Sequence, residues 1–144
     1  MKTNDRFQVT LPVGWEDRTV HYYMGPDDSG VQHALTLTID HSAQGVNLQE
    51  YARERLDAAL NTLQNVEILK DEGRELAGGR PAHECVYKWI PSDDRIIFRK
   101  LVFMMIDGTA YTFSADFSKK TIKTIGVEAD RIIESFIPAG IEAV

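Results

Sequence analysis

Residues 95–115 read RIIFRKLVFMMI, then Asp107-Gly108, then TAYTFSA. Successive side chains of a strand point to opposite faces. Over 95–106 one face carries Ile97, Arg99, Leu101, Phe103 and Met105. The other carries Ile96, Phe98, Lys100, Val102, Met104 and Ile106. Both faces are mainly apolar, whereas a strand with one face in water alternates apolar with polar residues. Both faces of this strand are therefore expected to be covered. Asp-Gly between two apolar runs is a strong hairpin signal, so residues 110–115 should return antiparallel beside it.

Working outward, Leu35, Leu37 and Ile39 alternate with Thr36 and Thr38, which predicts a strand over 34–40. Similar patterns predict strands over 7–11, stopped by Pro12, and over 19–24, 66–76 and 83–89. Residues 25–30 and 92–94 have loop and turn composition. Asn47 and Glu50 have capping-box spacing ahead of Leu48, Ala52, Leu56, Ala59 and Leu63, which predicts a helix over 48–62. Ala129, Ile132, Ile133 and Phe136 mark a second helix. Strands, a helix, more strands and a helix, joined by hairpins, predict an α+β fold. The expected form is an antiparallel β-sheet with helices packed mainly on one face.

The chain has 144 residues, of which 43% are apolar and 26% charged, enough for one domain with its own core. Sixteen basic against twenty-two acidic side chains leave a net charge of −6. Nucleic acid and anionic membrane surfaces ask for the opposite sign. One cysteine rules out a disulfide framework and fits a reducing compartment. No apolar stretch follows Lys2, and no run approaches the ~20 apolar residues of a membrane span. The expectation is a cytoplasmic protein with no direct membrane anchoring. Residues 1–138 are read as a single domain and 139–144 as a short tail.

Little in the sequence points to chemistry. No pair among His21, His33, His41 and His83 has the spacing that puts two metal ligands on one helix face. His83 and Cys85 share a strand face, as half a metal site or as a buried cysteine beside an ordinary histidine; the second reading is adopted. Asp27-Asp28 and Asp93-Asp94 fall in turns, where aspartate serves the backbone. Gly78-Gly79 lacks the Gly-Lys-Ser/Thr of a phosphate loop, and no Gly-x-Ser-x-Gly elbow is present. Lys119, Lys120 and Lys123 read as a solvated face. No catalytic residue, metal or cofactor is assigned, and the chain is read as a non-enzyme.

The surface is more informative. Leu35, Leu37, Ile39, Tyr111 and Phe113 are large and suit a helix-packed core. The opposite face is expected to combine Thr36, Thr38, Thr112 and Ser114 with Ile96, Phe98, Val102 and Met104, and with Val20, Tyr22 and Met24 at the side. A shallow apolar surface with hydroxyl groups marks an interface. A second copy, the chain's own loops or an apolar client segment could each occupy it.

Several short motifs follow one another along the chain. They are Phe7-x-Val-x-Leu-Pro-x-Gly-Trp15 with Asp17, Leu48-x-x-Tyr51, Gly79-x-Pro81-Ala82, Tyr87-x-Trp89, Gly108 with Tyr111, and Ser135-Phe136-x-Pro138. In this order they resemble the DcrB-like family, whose fold is like that of Mog1 and PsbP. Within it, Ile39-Asp40, Gly45, Tyr51-Ala-Arg-Glu-Arg-Leu56 and the long apolar strand are most similar to the Eag chaperones of type VI secretion. That resemblance implies a cytoplasmic homodimer that shields the apolar N-terminal transmembrane segments of a secreted effector before export. The groove residues expected on this reading are Val20, Tyr22, Leu63, Ile96 and Phe98, with Lys100, Thr36 and Thr112. Leu63 is included because the end of the first helix should meet the sheet rim. Lys100 stands where the subgroup often has glutamine. The alternative is a non-catalytic regulatory or scaffold domain of the same family without a membrane-segment client.

Overall fold

Asp107 and Gly108 both have positive φ, 50° and 78°, as a two-residue primed hairpin turn requires. They join β7 (Ile97–Ile106) to β8 (Thr109–Phe117) in the computed structural model, which describes residues 2–3, 7–28, 31–41, 43–91 and 95–138. The other elements are β1 (Lys2–Thr3), β2 (Gln8–Val9), β3 (Val20–Asp28), β4 (Val31–Asp40), α1 (Leu48–Leu60), β5 (Glu67–Leu76), β6 (Arg80–Trp89) and α2 (Ile125–Glu134). Six strands form one antiparallel sheet in the order β3-β4-β8-β7-β6-β5. The α+β antiparallel expectation agrees with this.

Two local expectations shift. The strand expected over 7–11 shortens to Gln8–Val9 and pairs with β1 outside the main sheet. The loop expected over 25–30 is cut into by β3, which runs to Asp28, and by β4, which starts at Val31. The turn expected at 92–94 and the tail at 139–144 lie outside the described residues.

The turn also fixes which residues share a face. Ile106 pairs with Thr109, so Met104 pairs with Tyr111 and Val102 with Phe113. Tyr111 and Phe113 pair in turn with Ile39 and Leu37 of β4. Paired residues of adjacent strands project to one side. The large residues of β4 and β8 therefore join the even residues of β7. On that side α2 packs through Ala129 and Ile133 over Leu35, Leu37, Val102, Met104, Phe113 and Phe117, all buried. The odd residues of β7, Leu101 and Phe103, lie on the other side with Cys85 and Tyr87 of β6. There they meet Tyr51, Ala52 and Leu56 of α1.

The helices thus occupy opposite faces of the sheet, which corrects the expectation of helices mainly on one face. The reason is the apolar character of both faces of β7. Val102 and Met104 are at most 1% exposed beneath α2, and Phe103 is 1% exposed beneath α1.

Each helix is tied down by local chemistry. Asn47 caps α1 by accepting from the Glu50 N–H at 2.8 Å, as the capping-box spacing predicted. The helix ends at Leu60, two residues before the predicted 62. Before α2, Thr121 is buried, and its hydroxyl oxygen accepts from the Ser118 N–H at 3.0 Å. His33, 2% exposed, joins this turn to the sheet. Its Nδ1–H donates to the Pro26 carbonyl at 3.1 Å, and its Nε2 lies 2.8 Å from the Thr121 hydroxyl.

Charged groups complete the α2 face. Arg74 of β5 donates to Glu84 at 2.7 Å and to both carboxylate oxygens of Asp130 at 2.8 and 3.0 Å, and it also bonds Glu134. Lys100 donates to Asp130 at 2.7 Å and lies 3.7 Å from Glu84. Glu84 is only 3% exposed, so its charge depends on these partners. Burial pushes its pKa up, but Arg74, Lys100 and Lys70 outweigh burial and hold it below the ordinary carboxylate range. Asp130 is held low in the same way, with burial opposed by Arg74 and Lys100.

Two expectations follow from this packing. Leu56→Ala removes a side chain that is 1% exposed and should lower the unfolding free energy by about 2–5 kcal/mol, read from urea titration. Glu84 and Asp130 have folded pKa values depressed below their unfolded ones. They therefore stabilise the native state at neutral pH, and that contribution is lost as the pH falls through the folded values. Urea midpoints should stay level from about pH 7 to 5 and drop below about pH 4. A midpoint that rises on acidification would contradict this.

Candidate binding surface

The sheet is wider than α1. At about 4.8 Å per strand six strands span roughly 29 Å, while a helix with its side chains is about 10 Å across. The helix lies over β6 and β7. Among the described residues, the same face of β8, β4 and β3 continues beyond it without a helix. Register places Thr112 and Ser114 of β8, Thr38 and Thr36 of β4, and Val20, Tyr22 and Met24 of β3 on this uncovered part.

On the α2 side Leu35, Leu37 and Phe113 of β4 and β8 are at most 6% exposed, whereas β3 is exposed on both sides, with Val20, Tyr22 and Met24 at 56%, 58% and 69% and Tyr23 at 50%. The threonines and Ser114 are half-buried. The Thr36 hydroxyl donates to the Ser114 carbonyl at 3.3 Å. The surface is therefore apolar at its outer strand and hydroxyl-bearing in the middle.

Where this surface meets α1 there is a cleft of about 240 Å³, with Leu101, Phe103, Thr38 and Thr112 at the sheet and Ala59 and Arg55 on the helix. Charges close one end of it. Asp40, 3% exposed, accepts from the Tyr51 hydroxyl at 3.0 Å and from Arg55 at 2.9 Å, and Arg18 lies 4.0 Å away. The Arg55 guanidinium also stacks on the Tyr51 ring at 5.1 Å. Burial, with the Asp40 hydrogen bond, raises the Tyr51 pKa against the opposing charge of Arg55. Beyond the cleft, toward the other end of the β7–β8 ladder, Arg99 and Asp116 form a two-point pair at 2.7 and 3.0 Å. The charges thus sit at the ends and are already engaged, and the floor between them carries none.

The residues expected to form a groove divide between the two faces. Val20, Tyr22, Thr36 and Thr112 share the uncovered surface. Leu63 lies just beyond α1, half-buried beside Trp89 and Val66 on the same side. Phe98 packs on the α2 side and Lys100 belongs to the ion cluster there, so neither joins the threonines. Ile96 precedes β7 and is 40% exposed. Register reverses the expectation that groups the even residues of β7 with the threonines: Val102 and Met104 pair with Phe113 and Tyr111, on the other side from Thr112 and Ser114. Leu101, Ala59, Arg55 and Arg18 line the cleft without having been singled out. The two-residue turn at Asp107-Gly108 was the available signal, because it forces Ile106 opposite Thr109 and so sets the parity of the whole pair.

Other candidates for chemistry resolve structurally. Cys85 is fully buried under α1, and burial, with the nearby Asp71 charge, pushes its thiol pKa up to about 11. His83 is engaged with Asp71. Among the described residues no three His, Cys, Asp or Glu side chains come together as a metal site, and no helix is long and apolar enough to cross a membrane.

The fold has solved counterparts. The crystal structure of PA94 from Pseudomonas aeruginosa, a protein of unknown function proposed to be a regulator, superposes with a TM-score of 0.77. The two are 13% identical, over 97% of this chain and 96% of that one. The solution structure of cyanobacterial PsbP from Synechocystis sp. PCC 6803 gives 0.53 at 14% identity, over 90% of this chain and 98% of that one. At these identities the likeness concerns the fold. No curated protein matches the sequence. The DcrB family model matches residues 8–135, from β2 to the end of α2, and the chain belongs to the DcrB family.

Proposed function

We propose that this protein is a cytoplasmic chaperone or adaptor, without catalytic activity, for apolar N-terminal segments of a type VI secretion effector. The observation that carries the reading is the uncovered, uncharged stretch of the α1 face between the Arg18–Asp40–Arg55 cluster and the Arg99–Asp116 pair. The resemblance of Tyr51-Ala-Arg-Glu-Arg-Leu56 and of the long apolar strand to the Eag chaperones supports it.

The physical fit is straightforward. A transmembrane helix outside a membrane exposes apolar area at a cost of about 25 cal/mol per Å². Val20, Tyr22, Met24 and Leu101 offer apolar contact, and the cleft beside Ala59 receives side chains. Thr38, Thr112 and Ser114 can bond polar groups on the client, which would otherwise lose water without compensation. Tyr22 suits such a surface because its ring packs while its hydroxyl stays wet.

The test is co-expression with the N-terminal apolar segment of a type VI secretion effector encoded beside this chain, followed by purification without detergent. The wild-type chain should bring the segment down in soluble form. Ala59→Glu places a charge in the cleft on a residue type that favours helix. It should abolish co-purification and shift the melting midpoint by no more than about 2–4 °C. A segment that stays bound to the Ala59→Glu chain, or that never becomes soluble with the wild-type chain, would sink the proposal.

A further inference from the structure

We propose that Arg55 is a carboxylate clamp, and that the client segment presents a glutamate or aspartate to it from an otherwise apolar face. This names a partner group for the surface described above and rests on the client reading. Contact with Val20, Tyr22, Met24 and Leu101 accepts any apolar helix alike. Choice among clients needs a group that only some of them satisfy.

The guanidinium is held in position without a client. Its Nη2 donates to Asp40 at 2.9 Å, and its carbon stands over the Tyr51 ring, 5.1 Å from the centroid. Tyr51 is itself buried, and its hydroxyl donates to the same carboxylate oxygen at 3.0 Å. Asp40 thus anchors both partners from behind. Arg55 keeps 41% of its side chain exposed and lines the cleft with Ala59, one turn farther along α1.

A guanidinium carries five N–H donors. Among the described residues only Nη2 of Arg55 has an acceptor at hydrogen-bond distance. The Nε and Nη1 donors are left to water. A helix laid over the cleft strips that water away. A wholly apolar client would leave charged donors buried and unpaired, which is costly. A carboxylate takes two of them at once, in the forked geometry the two groups share.

The balance of charge points the same way. In the cleft Arg18 and Arg55 face the single carboxylate of Asp40. Glu16, which pairs with Arg18, is 53% exposed at its side chain and offsets little. Arg99, toward the other end of the strip, is different. Its Nε and Nη2 donate to Asp116 and its Nη1 to the Tyr87 hydroxyl at 3.5 Å, so each of its nitrogens has an acceptor. The strip therefore has one unsaturated end, and an acidic client residue bound there fixes how far along the strip the client sits.

The test uses two synthetic helices of about 20 leucine and alanine residues between lysine pairs, with either glutamate or glutamine at the centre. Binding to the wild-type chain is read by fluorescence anisotropy at pH 7. The glutamate peptide should bind at least about tenfold more tightly. The chain's net charge of −6 works against such a preference, so overall charge cannot produce it. Arg55→Gln should erase the preference. Arg55→Lys keeps the charge that Asp40 needs but lacks the fork, and should narrow it; this variant carries the test where Arg55→Gln fails to fold. Equal binding of both peptides by the wild-type chain would overturn the clamp and leave the client reading standing. A preference unchanged in a folded Arg55 variant would overturn it too. Binding of neither peptide would sink the client reading, and the clamp with it.

Discussion

The architecture depends on keeping both faces of β7 out of water. No single helix can do that, so the two helices must lie on opposite sides of the sheet. Phe103 and Leu101 claim α1, and Val102 and Met104 claim α2. Once the helices are divided in this way, neither face has a second one to spare. On the α2 side, large residues of β4 and β8 extend the core as far as Leu35 and Leu37. On the α1 side the core reaches no farther than Ala110 of β8, beside the buried Asp40 of β4, and the rest of that face of β8, β4 and β3 is left to threonine, serine and the exposed residues of β3. The candidate surface is thus a consequence of dividing two helices over six strands.

Charge is handled differently on the two faces. On the α2 side, Glu84, Arg74, Lys100, Asp130 and Glu134 form one connected cluster where the helix crosses toward β5. Removing one member would leave buried charge without compensation, so these residues act as a unit. On the α1 side, the uncovered strip has charges only at its ends, and Arg53, Asp71 and His83 come together on the far side of the helix. An apolar segment laid on that strip would therefore displace no buried ion pair. It would meet hydroxyls, whose desolvation is cheaper than that of charges and can be offset by hydrogen bonds.

Much of this was legible in the residues. The alternation of Leu35, Leu37 and Ile39, the Asn47 cap and the Asp107-Gly108 turn identified β4, α1 and the β7–β8 hairpin. The doubly apolar pattern of β7 announced that both its faces are covered. The partition of the helices was misjudged because side-chain size was used to match faces across strands. Size says which side of one strand is buried, but not which side of its neighbour lies with it. Only register does that, and register here follows from the length of one turn. The ion cluster was missed for a different reason. Arg74, Glu84, Lys100 and Asp130 are far apart in sequence, and each reads as an ordinary surface charge until the fold brings them together. Lys100 shows the cost, because its neighbours on β7 made it look like part of a groove while its partner lies on α2.

The lone cysteine has a practical consequence. Cys85 is sealed between the sheet and α1, with its thiol held in the unreactive protonated form. An alkylating reagent can reach it only when α1 lifts away or the whole chain unfolds. The native molecule thus carries its own reporter of opening at that layer, with no label to add. Its modification rate, set against the global unfolding rate, distinguishes a helix that detaches by itself from one that leaves only when the sheet does.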